Sequence, residues 1–127
     1  MGIEVIDLVE MGNKEKKRKN VFDTPRFHSW MHYYQPGQKD EMHCHNADQT
    51  FVVLEGECTM SFPDGGAVTL KPGQAALITG GSFYKLENTG NGPMIMMGNR
   101  SGPADNIQII DYVTRKDIRR RVQAETA

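Results

Sequence analysis

Two histidines near the middle of the chain, His43 and His45, are separated by one residue, and Gln49 follows four positions later. Residues i and i+2 of a β-strand point to the same face of the sheet. The two imidazoles can therefore converge on one ion, and imidazole nitrogen binds zinc, iron, nickel, copper and manganese. A His-x-His pair alone is also compatible with a polar pair on the protein surface, so the surrounding spacing has to decide between the two.

That spacing contains two patterned stretches. The first reads Gly37-x5-His43-x-His45-x3-Gln49-x6-Gly56. The second begins after 16 intervening residues and reads Gly73-x5-Thr79-x-Gly81-x2-Tyr84-x3-Asn88. In order and spacing the two stretches resemble the two motifs of the cupin superfamily. The resemblance implies an all-β fold, a double-stranded β-helix or jelly-roll barrel, with residues 1–127 forming one domain around a motif core at 37–88.

The sequence departs from the cupin pattern at the positions that bind metal in the family. Gln49 stands where the first motif has Glu, and Tyr84 stands where the second motif has His. The resemblance thus implies a ligand set made of His43, His45, Gln49 and Tyr84. A neutral amide donates less charge than a carboxylate, so the ion remains a stronger Lewis acid. The two-His-one-carboxylate triad of Fe(II) oxygenases is complete only if Glu41 or Asp48 replaces Gln49.

Tyr84 has three open interpretations. It binds the ion as a phenolate, because a nearby dication lowers the phenol pKa; it donates or accepts a proton beside the ion; or it fills the barrel with its hydroxyl bonded to a neighbour and the metal site is degenerate. Glu41 shares a strand face with the histidines. We predict it as a second acid or as a partner of a ligand imidazole, with a solvated carboxylate as the alternative. Tyr84 and Glu41 are therefore the predicted catalytic residues.

Short β-type runs separated by glycine and proline turns extend from Phe27–Tyr34 to Ile107–Val113, which is the rhythm of an all-β barrel or sandwich. No helical segment lies between them, so we expect antiparallel sheets that close on each other. Residues 1–26 are predicted to form an N-terminal arm, in which Ile3–Val9 alternates loosely and the basic run Asn13–Asn20 is an exposed loop.

The C-terminal tail, residues 114–127, is predicted to contain a short helix. Thr114 and Asp117 approximate a capping box, and Ile118 and Val122 lie on one helical face. The arginines and lysine of this tail are expected to be solvated.

Several other residues could serve a site but have a simpler interpretation. His28 and His32 are expected to face solvent or a dimer partner, although either could line the pocket. Arg100 could pair with a substrate carboxylate, but a surface position is the simpler expectation. Cys44 points away from its histidine neighbours and is expected to be a core or interface thiol. Core filling is the default for the methionines of one strand, Met94, Met96 and Met97.

The formal net charge of −1 gives no reason to expect a nucleic acid as partner. No apolar run approaches the ~20 residues of a membrane span, and the first ten residues lack the cationic start of a secretory signal. Two cysteines fit a reducing compartment, so we expect a cytoplasmic protein. The cupin resemblance also implies a homodimer.

The leading functional hypothesis is a metal-dependent enzyme that acts on a small oxygenated or carboxylate substrate. A divalent ion such as Zn, Mn, Fe or Ni would supply Lewis acidity, and a lyase, isomerase or cyclase reaction suits the neutral Gln49. The alternatives are an Fe(II)-dependent dioxygenase and a non-catalytic cupin that binds a small ligand.

Overall fold

A computed structural model of the chain describes residues 2–119. In that part of the chain the elements are one α-helix, ten strands and a short 3₁₀ helix: α1 (Leu8–Glu15), β1 (Lys19–Asp23), β2 (Phe27–Tyr34), β3 (His43–His45), β4 (Gln49–Glu55), β5 (Cys58–Ser61), β6 (Ala67–Leu70), β7 (Ala75–Ile78), β8 (Lys85–Glu87), β9 (Met94–Ser101), the 3₁₀ helix (Ala104–Asn106) and β10 (Ile109–Asp111).

The strands form antiparallel sheets. One sheet has five strands in the order β1-β2-β9-β4-β7, and a second has three strands in the order β6-β5-β8. β3 pairs with β10, and an isolated bridge between His43 and Tyr84 joins β3 to the chain just before β8. The two motif stretches, which are far apart in sequence, therefore meet at His43 and Tyr84.

The main core lies between the sheets, and alternation along β2 determines which side chains enter it. Trp30 and Tyr34 belong to this core, together with Phe51 of β4 and Met96 of β9. Met31 and Tyr33 point the opposite way, into a smaller cluster on the outer face. Successive side chains of a strand alternate between faces, so β2 has two buried faces of different composition.

α1 covers the outer face of β2 and β9. Asp7 caps the helix by accepting a hydrogen bond from the backbone N–H of Glu10, and Lys16 ends it in the left-handed conformation. Leu8 and Met11 pack against the outer cluster. The helix comes so close that a Cβ on Gly12 would lie 2.7 Å from Cδ1 of Ile95.

The N-terminal predictions need correction. The loosely alternating stretch Ile3–Val9 enters α1 at Leu8, and the basic run Asn13–Asn20 is not a continuous exposed loop. Its first residues belong to α1 and its last two to β1. Leu8 and Met11 are three positions apart, which is the spacing of one helical face, and the cap at Asp7 fixes the start.

The C-terminal prediction also needs correction in its first turn. The backbone N–H of Thr114 donates to the Asp111 carboxylate at 2.8 Å, and Asp117 forms an isolated bridge with Ile110. A turn at 112–114 therefore follows β10, because the Asp111 carboxylate takes the N–H groups of Val113 and Thr114 that a helix could use. The rest of the predicted helix, with Val122, lies outside the described residues.

No helix in the described part of the chain has the length and apolar character that a membrane crossing requires.

Candidate metal centre

The imidazoles of His43 and His45 converge. Their positions on β3 place both rings on one face, and their Nε2 atoms lie 3.1 Å apart. The Nδ1 of His43 bonds to the Glu41 carbonyl at 2.6 Å, and the Nδ1 of His45 bonds to the Gln108 carbonyl at 3.1 Å. A carbonyl only accepts, so each Nδ1 carries its proton and each Nε2 presents a lone pair. Two facing lone pairs repel each other unless a proton or a metal cation lies between them.

Burial favours the neutral form of His45. It lowers the pKa of His45 to about 3, with a smaller contribution from the neighbouring His43. His45 therefore remains an acceptor at Nε2 throughout the physiological pH range.

Gln49 brings an amide oxygen to the same cavity. Its Nε2 donates to the hydroxyl of Tyr84 at 2.9 Å, while its Oε1 is buried and has no hydrogen-bond partner among the described residues. A buried acceptor left unpaired costs about 1–3 kcal/mol. The Tyr84 ring lies 4.7 Å from that of His43. The oxygen of Gln49 is thus available to an ion that the two imidazoles would hold.

No acidic or thiol side chain completes the group. Within residues 2–119 no three His, Cys, Asp or Glu residues are placed so that they could share an ion. Asp48 accepts a hydrogen bond from the backbone N–H of Gly80 at 2.9 Å, and the side chain of Glu41 is exposed. The donors that fit an ion here are the two imidazoles and the Gln49 oxygen, with the Tyr84 hydroxyl beside them.

Tyr84 is deeply buried, and burial raises its pKa well above the usual value. Its hydroxyl accepts the hydrogen bond from Gln49 and is neutral as it stands. A neutral phenol can still donate its own proton to a group in the cavity.

The profile of one protein family, described as a cupin domain, matches residues 30–97, which is more than half of the chain. The chain belongs to the cupin family. A search of curated proteins found no match. The all-β jelly-roll prediction is confirmed by solved structures that share the fold.

Three of these structures illustrate the likeness. A Klebsiella pneumoniae protein with a double-stranded β-helix domain is 24% identical, with a TM-score of 0.65 over 72% of this chain and 81% of its own. A Thermus thermophilus protein is 23% identical, with a TM-score of 0.67 over 79% and 98%. The polyketide cyclase RemF from Streptomyces resistomycificus is 18% identical, with a TM-score of 0.67 over 84% and 77%. At these identities the likeness shows the fold alone.

The candidate metal-centre residues of this cupin line a cavity of about 990 Å³. Its walls come from several elements, and β2 contributes His28, Trp30, His32 and Tyr34. The expectation that His28 and His32 face solvent or a dimer partner is wrong, because even-numbered residues of β2 point inward. Trp30 donates from its indole N–H to Nε2 of His32 at 2.8 Å.

Asp40 is a cavity residue that was not predicted from the sequence. Its Oδ1 accepts from the Leu86 N–H at 2.7 Å, and its Oδ2 accepts from the Tyr34 hydroxyl at 3.4 Å. Oδ2 also lies 4.0 Å from Nδ1 of His43. Burial raises the pKa of this carboxyl to about 6. Its position three residues before His43, within the first motif, was the available signal.

Arg100 is not on the surface, contrary to the expectation from the sequence, because only 4% of it is exposed. Its guanidinium donates to the Pro103 carbonyl at 3.0 Å and to Oδ1 of Asn46 at 3.1 Å. It therefore holds together the loop around the 3₁₀ helix. Cys44 is buried and free, as is Cys58. Met94 and Met96 point into the main core.

Proposed function

We propose that this cupin is a metal-dependent enzyme that acts on a small oxygenated substrate by Lewis-acid and proton-transfer chemistry, as a lyase, isomerase or cyclase. One observation carries the proposal: the Nε2 atoms of His43 and His45 face each other at 3.1 Å while both Nδ1 atoms bond to backbone carbonyls. This arrangement leaves two lone pairs with no donor, which is the arrangement that a divalent cation would satisfy.

A divalent ion such as Zn, Mn, Fe or Ni, held by His43, His45 and the oxygen of Gln49, would polarise a carbonyl or carboxylate oxygen of the substrate. The backbone carbonyls of Glu41 and Gln108 fix the two rings in one tautomer and one orientation. Because Gln49 is neutral, it would not offset the positive charge of the ion as a carboxylate would. This favours polarisation of a substrate over activation of oxygen.

Proton transfer is assigned to Tyr84. Its hydroxyl lies in contact with Gln49, and its ring contacts that of His43, so a substrate at the centre lies within its reach. Glu41 stays a predicted second acid. Its side chain is at the exposed edge of the cavity, and its main chain supports His43.

The polyketide cyclase among the similar structures is only 18% identical to this chain. The proposed reaction class therefore rests on the donor set and not on that likeness. The donor set also separates this proposal from the dioxygenase hypothesis, because the carboxylate of a two-His-one-carboxylate triad has no counterpart among the described residues.

The first test is elemental analysis of protein purified without added metal. We expect about one equivalent of a divalent metal in the wild type, and loss of it in the His43→Ala/His45→Ala variant and in Gln49→Leu. His28→Gln is the matched control, because it removes a cavity histidine outside the proposed centre and should retain the metal. A metal-free wild type, or retention in the double variant, contradicts the proposal.

The second test asks for turnover. In D₂O, NMR should detect metal-dependent deuterium exchange or bond cleavage in some member of a panel of 2-oxo, 3-oxo and 2-hydroxy carboxylates, and Tyr84→Phe should slow it at unchanged metal content. Turnover that strictly requires Fe(II) and consumes O₂ would instead indicate a dioxygenase. Metal binding without turnover of any panel member would indicate a ligand-binding cupin.

The expected homodimer and cytoplasmic location remain predictions. Light scattering after size-exclusion chromatography tests the first, since a dimer has twice the mass of the 14.3 kDa chain.

A further inference from the structure

The cavity concentrates positive charge in a chain whose formal net charge is −1. Two acidic residues, Asp40 and Glu41, line it, and burial raises the pKa of Asp40 to about 6. Six basic residues line the same cavity: Lys16, Lys17, Arg18, Lys19, Lys39 and Arg100. A cleft lined by charge of one sign focuses the field and favours ligands of the opposite sign. The chemistry of the cavity therefore favours an anion.

Arg18 is the basic residue that reaches inside. Its Cζ lies 5.5 Å from the centre of the Trp30 ring, which is a cation–π distance. Burial lowers its pKa from the usual value, and no carboxylate of residues 2–119 forms an ion pair with it. Its hydrogen bond to Oδ1 of Asn20 is long, at 3.5 Å. A guanidinium has five N–H donors, so most of its capacity is unused.

The chain geometry explains why Arg18 turns inward although it belongs to a basic run. α1 ends at Glu15, and the left-handed conformation of its C-cap residue Lys16 directs the chain away from the helix axis. β1 then pairs with β2, with Asn20 opposite Trp30. Arg18 and Asn20 are two positions apart and share a face, and that face is the one over the Trp30 ring. The sequence expectation that the whole run is solvated is therefore wrong at Arg18.

The Arg18 guanidinium is close enough to the candidate metal centre to influence its histidines electrostatically. Its charge helps to lower the pKa values of His32 and His45. His32 accepts from Trp30 at Nε2, so its proton is on Nδ1, which is buried and has no acceptor among the described residues. Both terminal nitrogens of Arg100 are bonded, to Pro103 and Asn46, and only its buried Nε lacks a partner in the described part of the chain. Arg18 is thus the guanidinium at the cavity with most of its donors unused, and His32 adds an unpaired donor.

We propose that Arg18 binds a carboxylate group of the ligand, so that the substrate of this cupin is a carboxylic acid whose second oxygen function reaches His43 and His45. The single charge of a carboxylate matches the single charge of the partly buried Arg18 guanidinium, and its planar fork fits a carboxylate in bidentate fashion. Phosphate is the competing anion, because the lysines at the cavity could also attract it. The role of the second oxygen function rests on the proposed function; carboxylate binding by Arg18 does not.

Trp30 gives a direct readout, because it is the only tryptophan of the chain and lies beneath Arg18. Malonate is the probe, its neutral diamide is the uncharged control, and inorganic phosphate is the competing anion. Each is titrated into the protein as purified and after removal of metal. We expect malonate to shift Trp30 fluorescence saturably in both states, and to bind more tightly than either comparison compound.

Arg18→Gln removes the charge while keeping much of the side-chain length. We expect it to weaken malonate binding by about 10- to 100-fold, the range for loss of a charge-assisted contact. Arg26→Gln is the matched control, since it makes the same charge change at an exposed position outside the cavity and should leave affinity unchanged. Arg18→Lys retains the charge without the fork, and we expect an intermediate loss. Circular dichroism checks that each variant folds. If Arg18→Gln does not fold, the affinity of Arg18→Lys decides the test.

Wild-type affinity in Arg18→Gln, or in Arg18→Lys if only that variant folds, overturns the proposal. Equal binding of malonate and its diamide, or tighter binding of phosphate, overturns the carboxylate assignment. Metal content measured on the same samples separates this proposal from the proposed function. If the wild type holds no metal and malonate still requires Arg18, the enzyme proposal fails and the carboxylate site stands.

Discussion

The two faces of β2 differ in side-chain composition and in how completely their polar atoms are paired. On the outer face, Met31 and Tyr33 are covered by α1 and pack against Ile95. On the inner face, His28 and His32 line the cavity, and each has a buried ring nitrogen without a partner in the described part of the chain. The outer face is built from apolar contacts that stabilise the protein, whereas the inner face keeps polar atoms available.

This difference extends beyond β2. Five buried side-chain nitrogen or oxygen atoms have no hydrogen-bond partner among the described residues, and four of them belong to residues that line the cavity: His28, His32, Gln49 and Arg100. Each such atom lowers stability if it stays unpaired, and their concentration in one cavity supports the ligand site proposed above. The comparison of the two faces therefore predicts different consequences for mutations on each.

The largest effect on stability is expected on the outer face. Ile95→Ala removes a fully buried side chain from between α1 and the sheet, so the free energy of unfolding should fall by about 2–5 kcal/mol. Metal content of the folded protein should stay unchanged, because Ile95 points away from the cavity. Urea denaturation measures the free energy of unfolding, and elemental analysis measures the metal content.

Val113→Ala is the control for this substitution, since 86% of Val113 is exposed, and its effect should be below about 0.5 kcal/mol. Loss of metal from folded Ile95→Ala would mean that the two faces are not independent.

A smaller effect is expected from Gly98→Ala on the inner face. A Cβ at Gly98 would lie within 3 Å of the Trp30 indole, so the ring must move and its bond to His32 should weaken. We expect a loss of about 1–3 kcal/mol, together with a change in Trp30 fluorescence. Gly92→Ala is the matched control, because a Cβ there meets nothing within 4 Å. An unaltered Trp30 emission in Gly98→Ala would contradict the close packing described.

Much of this arrangement could be predicted from the sequence, because it depends on local spacing. His43 and His45 share a strand face by their separation alone, and the glycines of the two motifs, such as Gly56 with φ of 76°, are placed where the backbone needs positive φ. The strand rhythm predicted most of the sheet. Each of these features depends on residues that lie close together in the sequence.

Features that depend on tertiary packing could not be predicted. Arg18 lies in a run of similar charges, and only the change of chain direction at Lys16 and the pairing of β1 with β2 turn it inward. Asp40 is half-buried because β8 and Tyr34 bind its two carboxylate oxygens. α1 is short and mostly polar, and its position depends on the outer face that it covers. The residues that neighbour Arg18, Asp40 or α1 in the sequence do not indicate these contacts, because the contacting partners come from distant parts of the chain.

An effect that depends on the solution conditions is the pH dependence that arises from His28. Burial, with a contribution from Arg18, lowers its pKa in the folded protein to about 4, against 6.5 as the ordinary value. The unfolded chain therefore takes up a proton before the folded protein does, and stability falls as the pH drops from 6.5 toward 4. His28→Gln should lose this part of the dependence.

Denaturant midpoints of wild type and His28→Gln at pH 7.5, 5.5 and 4.5 measure it. We expect the difference between the two proteins to shift in favour of the variant as the pH falls. A difference independent of pH would show that His28 is not held neutral on the inner face.

The central claim is that His43 and His45 present paired Nε2 lone pairs to a cation. Long-range ¹H–¹⁵N NMR of the imidazoles tests it most directly, in metal-free protein and after addition of one equivalent of Zn²⁺. The account predicts that both rings are neutral with the proton on Nδ1, and that Zn²⁺ shifts the Nε2 resonances of His43 and His45 while those of His28 and His32 keep their tautomers. A proton on either Nε2, shared between the two rings and undisturbed by Zn²⁺, would contradict it.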